Sequence, residues 1–449
     1  MIPLAHKSLF SPLRDFIKWL ILSTLIGTAA GVASAFFLIS LNKVTSFRVE
    51  HPWLLYFLPL AGVTVAFLYL KIGKSVDAGT NLLIDEVHNP QKIIGLRMAP
   101  LVFFGTLATH LCGGSAGREG TAVQMGGSLA DQFSSLFRLK NDDRRVVLIA
   151  GISAGFASVF GTPLAGAIFG IEVLALGRLR YDALLPCFLS AIIANKTAEF
   201  VGVSHSHYSF PSSLELPPLT FSALFSIVFA GIAFGLLGMV FSKLTHGLTL
   251  FLKTKLKYPL LRPILGGCLI ILLTQSFGSE RFLGLGIPEI ESSFKVPVPL
   301  FDFLGKLLFT SVTLSSGFKG GEVTPLFFMG ATLGNALSSF LSLPLPVLAG
   351  MGFVAVFAGA ANTPVACTLM ALELFGAQSG VYCGLACVVS YFVSGHNGIY
   401  DSQRIGVRKH PFFEGEVGHR ISGHLSSTHE PAPREENISS HIKHSRNFL

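Results

Sequence analysis

From Pro325 to Ser394 the chain carries a single charged side chain, Glu373, and from Val146 to Gly177 it carries only Glu172. A soluble globule, with about 25% charged residues, does not tolerate such runs. The whole chain is 51% hydrophobic and 13% charged, with a mean hydropathy of +0.61. Lipid is therefore the solvent for most of it, and in lipid the backbone must satisfy its own hydrogen bonds, as helices do. A spanning helix needs about 20 apolar residues. The apolar runs are Leu20–Leu41, Trp53–Leu70, Val146–Gly177, Leu184–Ala194, Phe221–Phe241, Ile264–Thr274 and Leu337–Val393, several of them too short or too long for one clean span. With 47 Gly and 23 Pro interrupting them, they predict an all-α polytopic membrane protein with broken and re-entrant helices, whose freed backbone is buried or lines a cavity.

The charges that remain are placed by topology. Lys7, Arg14 and Lys18 precede the first apolar run, Arg138, Lys140, Arg144 and Arg145 fill one loop, and Lys253, Lys255 and Lys257 another. The positive-inside rule assigns these to the cytoplasm, with both termini there. The net charge of +8 needs no nucleic-acid partner. Ala33-Ser34-Ala35 has the look of a signal-peptidase site, but its apolar stretch exceeds the roughly 7–15 residues of a signal peptide, so an uncleaved helix is expected. The six cysteines (Cys112, Cys187, Cys268, Cys367, Cys383, Cys387) lie in apolar runs without metal-ligand or disulfide spacing and read as small core residues. No metal or other cofactor is indicated. From about Gln403 the chain turns polar, with six histidines from His410 to His444, and reads as a weakly structured tail.

The second half echoes the first. Gly151, Ala154, Phe156, Ala157, Thr162, Pro163, Ala165 and Glu172 recur 201 positions later as Gly352, Ala355, Phe357, Ala358, Thr363, Pro364, Ala366 and Glu373. Met125-Gly126 likewise returns as Met329-Gly330. Such a duplication predicts a transporter with its site at the interface of the repeats, near mid-membrane. The expected organisation is an N-terminus over 1–15, a first membrane repeat over 16–200, a second over 201–402 and a polar tail over 403–449. Glu172 and Glu373 sit where a charge costs about 2.5–3.5 kcal/mol, so each is expected at a helix end or internally paired, with backbone capping the simplest role.

Three glycine-rich breaks interrupt the apolar sequence: Gly79-Thr80-Asn81-Leu82, Gly113 through Thr121, and Gly320-Gly321-Glu322-Val323-Thr324-Pro325. Each precedes a helix-forming run, so the free N–H groups and positive dipole end of a new helix face the break. Such a site suits a small anion. A carboxylate there, Glu119, competes with the anion when ionised and releases the site when protonated, which is the minimum machinery for anion/proton exchange. An ion pair with Arg118 is the alternative role, disfavoured if both residues lie on one helix.

Gly117-Arg118-Glu119-Gly120, followed by Val123-Gln124, resembles the Gly-Lys/Arg-Glu-Gly-Pro signature of the CLC chloride channels and transporters, whose glutamate is the external gate. Gly321-Glu322-Val323-Thr324-Pro325 resembles their Gly-x-Phe-x-Pro signature, and Tyr400 matches the tyrosine that touches the central anion. The resemblance spans residues 16–404. It implies two inverted repeats, a homodimer with one pore per subunit and an anion site drawn from Thr80, Asn81, Gly117, Gly120, Val323, Thr324 and Tyr400.

The departures are informative. Gly79-Thr80-Asn81-Leu82-Leu83 stands where chloride members carry Gly-Ser-Gly-Ile-Pro, Thr121 replaces a proline, and Val173 falls at the internal proton-relay glutamate. With Glu322 and Thr324 added, the pattern is similar to the bacterial fluoride/proton antiporters, in which a glutamate at the Glu322 position belongs to the proton pathway. Fluoride is small and strongly hydrated, so close donors such as Thr80, Asn81 and Thr324 suit it. The resemblance thus implies a fluoride/proton antiporter of the bacterial inner membrane, gated by Glu119. A chloride/proton exchanger or a passive anion channel is the near alternative. A membrane serine hydrolase is the remote one, since Gly151-Ile152-Ser153-Ala154-Gly155 and Gly113-Gly114-Ser115-Ala116-Gly117 match Gly-x-Ser-x-Gly; small-residue helix packing accounts for these runs without it.

Overall fold

The structure, a computed structural model, describes residues 11–205, 208, 210–211, 216–412 and 417–421. Eight helices form the first half: α1 (Ser11–Glu50), α2 (Leu58–Leu68), α3 (Thr80–His88), α4 (Met98–Leu111), α5 (Glu119–Leu136), α6 (Asn141–Phe160), α7 (Pro163–Glu172) and α8 (Leu184–Phe200). Eight more follow: α9 (Phe221–Lys255), α10 (Leu261–Phe277), α11 (Ile287–Ser293), α12 (Asp302–Ser315), α13 (Val323–Leu337), α14 (Leu345–Ala361), α15 (Pro364–Phe375) and α16 (Gly380–Val393). Helix for helix, the second series repeats the first. The only described sheet is one parallel pair of two-residue strands, β1 (Ala175–Leu176) and β2 (Arg404–Ile405).

Lengths explain the division of labour. Four helical stretches, including α1, α8 and α9, are long and apolar enough to cross a membrane. By contrast α4, α12 and α13 have 14, 14 and 15 residues, about 21–23 Å each at 1.5 Å per residue, and so end inside a bilayer core about 30 Å thick. The run Val146–Gly177 divides into α6 and α7, and Leu337–Val393 into α14, α15 and α16. The same device makes the cut in both halves. α6 ends on Gly161 and α14 on Asn362, both left-handed, and each is followed by a threonine and a proline that opens the next helix.

The hydrogen bonds are duplicated too. On α5, Asp131 accepts from the Ile94 N–H at 2.8 Å, just ahead of α4; on α13, Asn335 accepts from the Val298 N–H at 3.1 Å, just ahead of α12. Close packing repeats likewise: a side chain on Gly126 would meet the Gly151 carbonyl at 2.4 Å, and one on Gly330 the Gly352 carbonyl at 2.0 Å. α5 lies on α6 and α13 on α14 through these glycines, with the backbones in contact.

Glu172 and Glu373 exchange ends between the halves. Glu172, at the end of α7, accepts from the Val365 and Ala366 amides that open α15, and Glu373 on α15 accepts from the Leu164 and Ala165 amides that open α7. Each carboxylate meets a helix N-terminus, where two N–H groups and the dipole offset its desolvation. Backbone capping, the simplest expected role, is what both residues do.

Two expectations change. Five cysteines are buried, but Cys268 on α10 is exposed, facing outward on an apolar helix. The polar sequence from Gln403 begins as packed structure. Gln403 is fully buried, and its amide donates to the Val173 and Ala361 carbonyls while accepting from Asn362. β2 then docks on β1. A polar residue can sit there because every amide atom finds a partner. Most of the histidine-rich tail, 422–449, lies outside the described residues, as does Lys7.

Candidate functional site

The N-termini of α5 and α13 meet at the seam between the halves. Gly117 and Gly321 bridge them with two reciprocal backbone bonds, Gly117 N–H to the Gly321 carbonyl at 2.6 Å and Gly321 N–H to the Gly117 carbonyl at 2.7 Å. Glycine is required on both sides. A side chain on Gly117 would lie 2.9 Å from Glu119 Oε2 and 3.0 Å from Pro325, and one on Gly120 would press the Gly321 backbone at 3.1 Å. From the seam α5 leads to the basic loop around Arg138–Arg145, and α13 leads to Asn335, which holds the 293–298 segment.

Glu119, the first residue of α5, is fully buried. Its carboxylate reaches across the seam to the start of α13. Oε2 accepts from the Thr324 N–H at 3.1 Å and the Arg118 N–H at 3.2 Å, and the Thr324 hydroxyl donates at 2.6–2.7 Å. These are the donors an anion would use at a helix N-terminus, and the carboxylate occupies their place. Arg118 also approaches it, Nε to Oε1 at 3.6 Å. Neighbours within one helix do not face each other, which disfavours this contact from the sequence. Arg118 stands before the helix as its N-cap, so the rule does not apply to it.

The remaining residues fall into two groups. Val323, buried, opens α13, and Glu322 is its N-cap. Glu322 is partly buried, its carboxylate makes no hydrogen bond or ion pair among the described residues, and Asp401 is a like charge acting on it. Tyr400 is buried beside both carboxylates, with its ring edge-on to Phe169 at 6.5 Å. On the third break, Gly79 adopts φ 59°, ψ −129°, open to glycine without strain. Asn81, one residue into α3, accepts from the Ser402 N–H at 3.1 Å, tying that break to the Tyr400 segment. Thr80 touches the Gln124 amide at 3.5 Å. All nine expected residues therefore lie on the three breaks or the Tyr400 segment, with Glu119 and Thr324 in direct contact.

Several participants were not among the expected site residues. Gln124 fills the space under Gly79, where an added side chain would meet its amide at 3.1 Å. Phe156, Phe169 and Phe357 stack beside Tyr400 with centroids 4.2–6.1 Å apart, two of them repeat mates. Thr121, standing where a proline was expected, bonds Thr106 on α4 at 2.7 Å, and Ser115, just ahead of α5, bonds Thr310 on α12 across the halves at 2.9 Å. That contact gives the substitution a packing reason. Ser153, the candidate nucleophile, bonds the Ala167 carbonyl at 3.3 Å and presses against Gly170. It is a helix-packing residue. Among the described residues no cluster of His, Cys, Asp or Glu could hold a metal.

Comparison with known proteins agrees with this arrangement. The family model described as voltage gated chloride channel matches residues 61–395. The chain is 55% identical over 399 residues to the chloride/fluoride channel protein of Pseudomonas syringae pv. tomato, covering 88% of each chain. It is 28% identical to the H(+)/Cl(-) exchange transporter ClcA of Vibrio parahaemolyticus, over 79% of this chain and 81% of that one. The crystal structure of a CLC-type fluoride/proton antiporter superposes with a TM-score of 0.84 at 35% identity, covering 88% of this chain and 99% of the other. A slow cyanobacterial Cl-/H+ antiporter shares the fold, with a TM-score of 0.73 at 19% identity, covering 84% and 94%. The protein is not an enzyme: with its inverted repeat of re-entrant helices and a glutamate on the amides of the opposite half, the chain belongs to the CLC family of membrane anion and proton transporters.

Proposed function

We propose that the chain is a fluoride/proton antiporter that expels fluoride with the inward proton gradient, with Glu119 as gate and Glu322 as a second carboxylate on the proton path. The observation that carries this reading is the seat of Glu119 on the Thr324 N–H and hydroxyl. Ionised, the carboxylate holds the donors and blocks an anion. Protonated, it loses its charge-assisted bonds and leaves, and a fluoride ion takes over the Thr324 donors. Proton and anion thus alternate at one place, which couples their fluxes. Glu322, a second carboxylate close to Tyr400 and Asp401, supports a proton path that runs past Tyr400.

Fluoride over chloride is favoured by the donors. Fluoride demands close, strong hydrogen bonds to replace its hydration, and the Thr324 hydroxyl, the Asn81 amide, Thr80 and the backbone at Gly120 and Val323 supply them, with Tyr400 closing the site; the Gly117 N–H is held by the Gly321 carbonyl, and Gly117 contributes its lack of a side chain. The names of the Pseudomonas relative and of the superposed antiporter support the same substrate. The Vibrio exchangers support a second reading, chloride/proton exchange on the same fold, and a passive channel is a third. Reconstituted vesicles loaded with fluoride or with chloride and followed by ion and pH electrodes separate the three. Fluoride efflux with proton uptake is expected; rapid chloride exchange favours the second reading, and fluoride efflux without proton movement the third.

The setting proposed is the bacterial inner membrane, both termini cytoplasmic. The Lys18–Asp143 ion pair at 2.7 Å supports the orientation by drawing the start of α1 to the basic loop. A homodimer with one pore per subunit, organised as repeats over 16–200 and 201–402 between a short N-terminus (1–15) and a polar tail (403–449), completes the reading. Acid surroundings would make such a pump useful, because neutral hydrogen fluoride crosses membranes and ionises inside.

A further inference from the structure

On the far side of the seam from the basic loop, three buried cationic or hydrogen-donating side chains lie together, the nearby carboxylates being Glu119, 3.6 Å from Arg118 Nε, and Glu289, which faces Lys306. Lys306, in the second turn of α12, is fully buried and forms no ion pair among the described residues. Its ammonium donates to the Phe282 carbonyl at 3.1 Å and the Gly284 carbonyl at 2.7 Å, which uses two of its three protons. His110, at the end of α4, is 2% exposed, and neither ring nitrogen makes a hydrogen bond of good geometry, the Gly117 backbone being its one weak partner. Its Nδ1 lies 3.8 Å from where a side chain on Gly284 would begin, and its ring neighbours Lys306, Arg118 and the Gly117 backbone. Arg118 Nε is the third donor, buried and without an acceptor at hydrogen-bond distance.

A buried ammonium with no carboxylate at ion-pair distance is costly, and so is each unsatisfied donor beside it. One small acceptor with negative charge answers all three. We propose that His110, Lys306 and Arg118 form a second anion site, beyond Glu119 on the face away from the basic loop, which holds a fluoride ion between the gate and the external water. The identity of the ion rests on the function proposed above; the existence of the site rests on the donors. Position gives it a use. An ion leaving the Thr324 donors when Glu119 returns meets a ready set of donors one step further out, and its return is opposed by the carboxylate behind it.

The test is equilibrium binding of sodium fluoride to the full-length protein, followed by fluorine NMR at fixed ionic strength, with sodium chloride titrated in parallel. Lys306→Met and His110→Phe are each expected to bind one fluoride fewer per chain than wild type, or to bind it about tenfold more weakly, as loss of a charged donor implies. If Lys306→Met fails to fold, His110→Phe, close in shape and apolar, decides alone. Unchanged fluoride number and affinity in folded His110→Phe overturns the site and leaves the fluoride function standing. A chloride signal that depends on His110, with no fluoride signal, keeps the site and overturns the choice of ion.

Discussion

The Thr324 hydroxyl lies 2.6 and 2.7 Å from the two carboxylate oxygens of Glu119, a contact made between halves of the chain and 205 residues apart in sequence. It is the shortest side-chain link across the seam and the one that α13 supplies in addition to backbone.

Thr324→Val keeps the shape and the backbone N–H but removes the hydroxyl. A hydrogen bond to an ionised group contributes about 1.5–3 kcal/mol, so the ionised gate should leave its seat more readily. Fluoride-to-proton ratios in proteoliposomes should shift towards uncoupled fluoride leak, with chloride discrimination weakened. A variant with wild-type coupling and selectivity would remove Thr324 from the account.

Glu322→Gln is expected to leave fluoride binding intact and to abolish proton transport, because the amide has the carboxyl's shape but cannot carry its proton. Simultaneous fluoride and pH traces give the answer. Proton flux at the wild-type rate would route the proton elsewhere.

Glu172→Gln and Glu373→Gln should behave alike, and differently from the gate. Each loses charge-assisted bonds to two helix-opening amides, worth roughly 1–3 kcal/mol of stability. Thermal unfolding in detergent should move down for both, with the coupling ratio unchanged. Loss of coupling in Glu172→Gln alone would give that residue a proton-carrying role instead.

Asp131→Ala tests the frame around the site. Asp131 is fully buried, pairs with Arg144 at 2.8 Å and holds the Ile94 N–H. Removing it leaves a buried guanidinium with Glu86, at 3.0 Å, as its one carboxylate, beside the Lys92 carbonyl at 2.6 Å, and breaking a buried pair costs about 3–5 kcal/mol. Expression and melting temperature should fall sharply. Asp131→Asn, which reproduces the amide of its repeat mate Asn335, should be milder.

Much of this was legible in the sequence. Uncharged runs too long or too short for single spans predicted broken helices, and the duplicated Thr-Pro and Glu positions predicted the repeat. The glycine breaks carried the site, since glycine where helices begin leaves amides free for a ligand. What stayed hidden depends on contacts between distant segments. Nothing local marks Glu172 as the cap of α15 and Glu373 as the cap of α7, because the two helices meet only after both halves fold. Arg118 beside Glu119 reads as a helical neighbour in the sequence, because nothing local fixes the helix start to one residue. Lys306 had a visible signal, a lone charge in the apolar run after Asp302, of the kind that drew notice to Glu172. The polarity of Gln403 and Arg404 reads as solvent-exposed, whereas their hydrogen bonds close the back of the Tyr400 segment.

The most direct test of the central claim is a paired flux measurement on purified protein in liposomes. Vesicles loaded with fluoride should lose it on dissipation of charge by a potassium ionophore while their interior acidifies, with little response from chloride-loaded vesicles, and Glu119→Gln should abolish the acidification. Chloride exchange as fast as fluoride exchange, or proton uptake that survives Glu119→Gln, would contradict it.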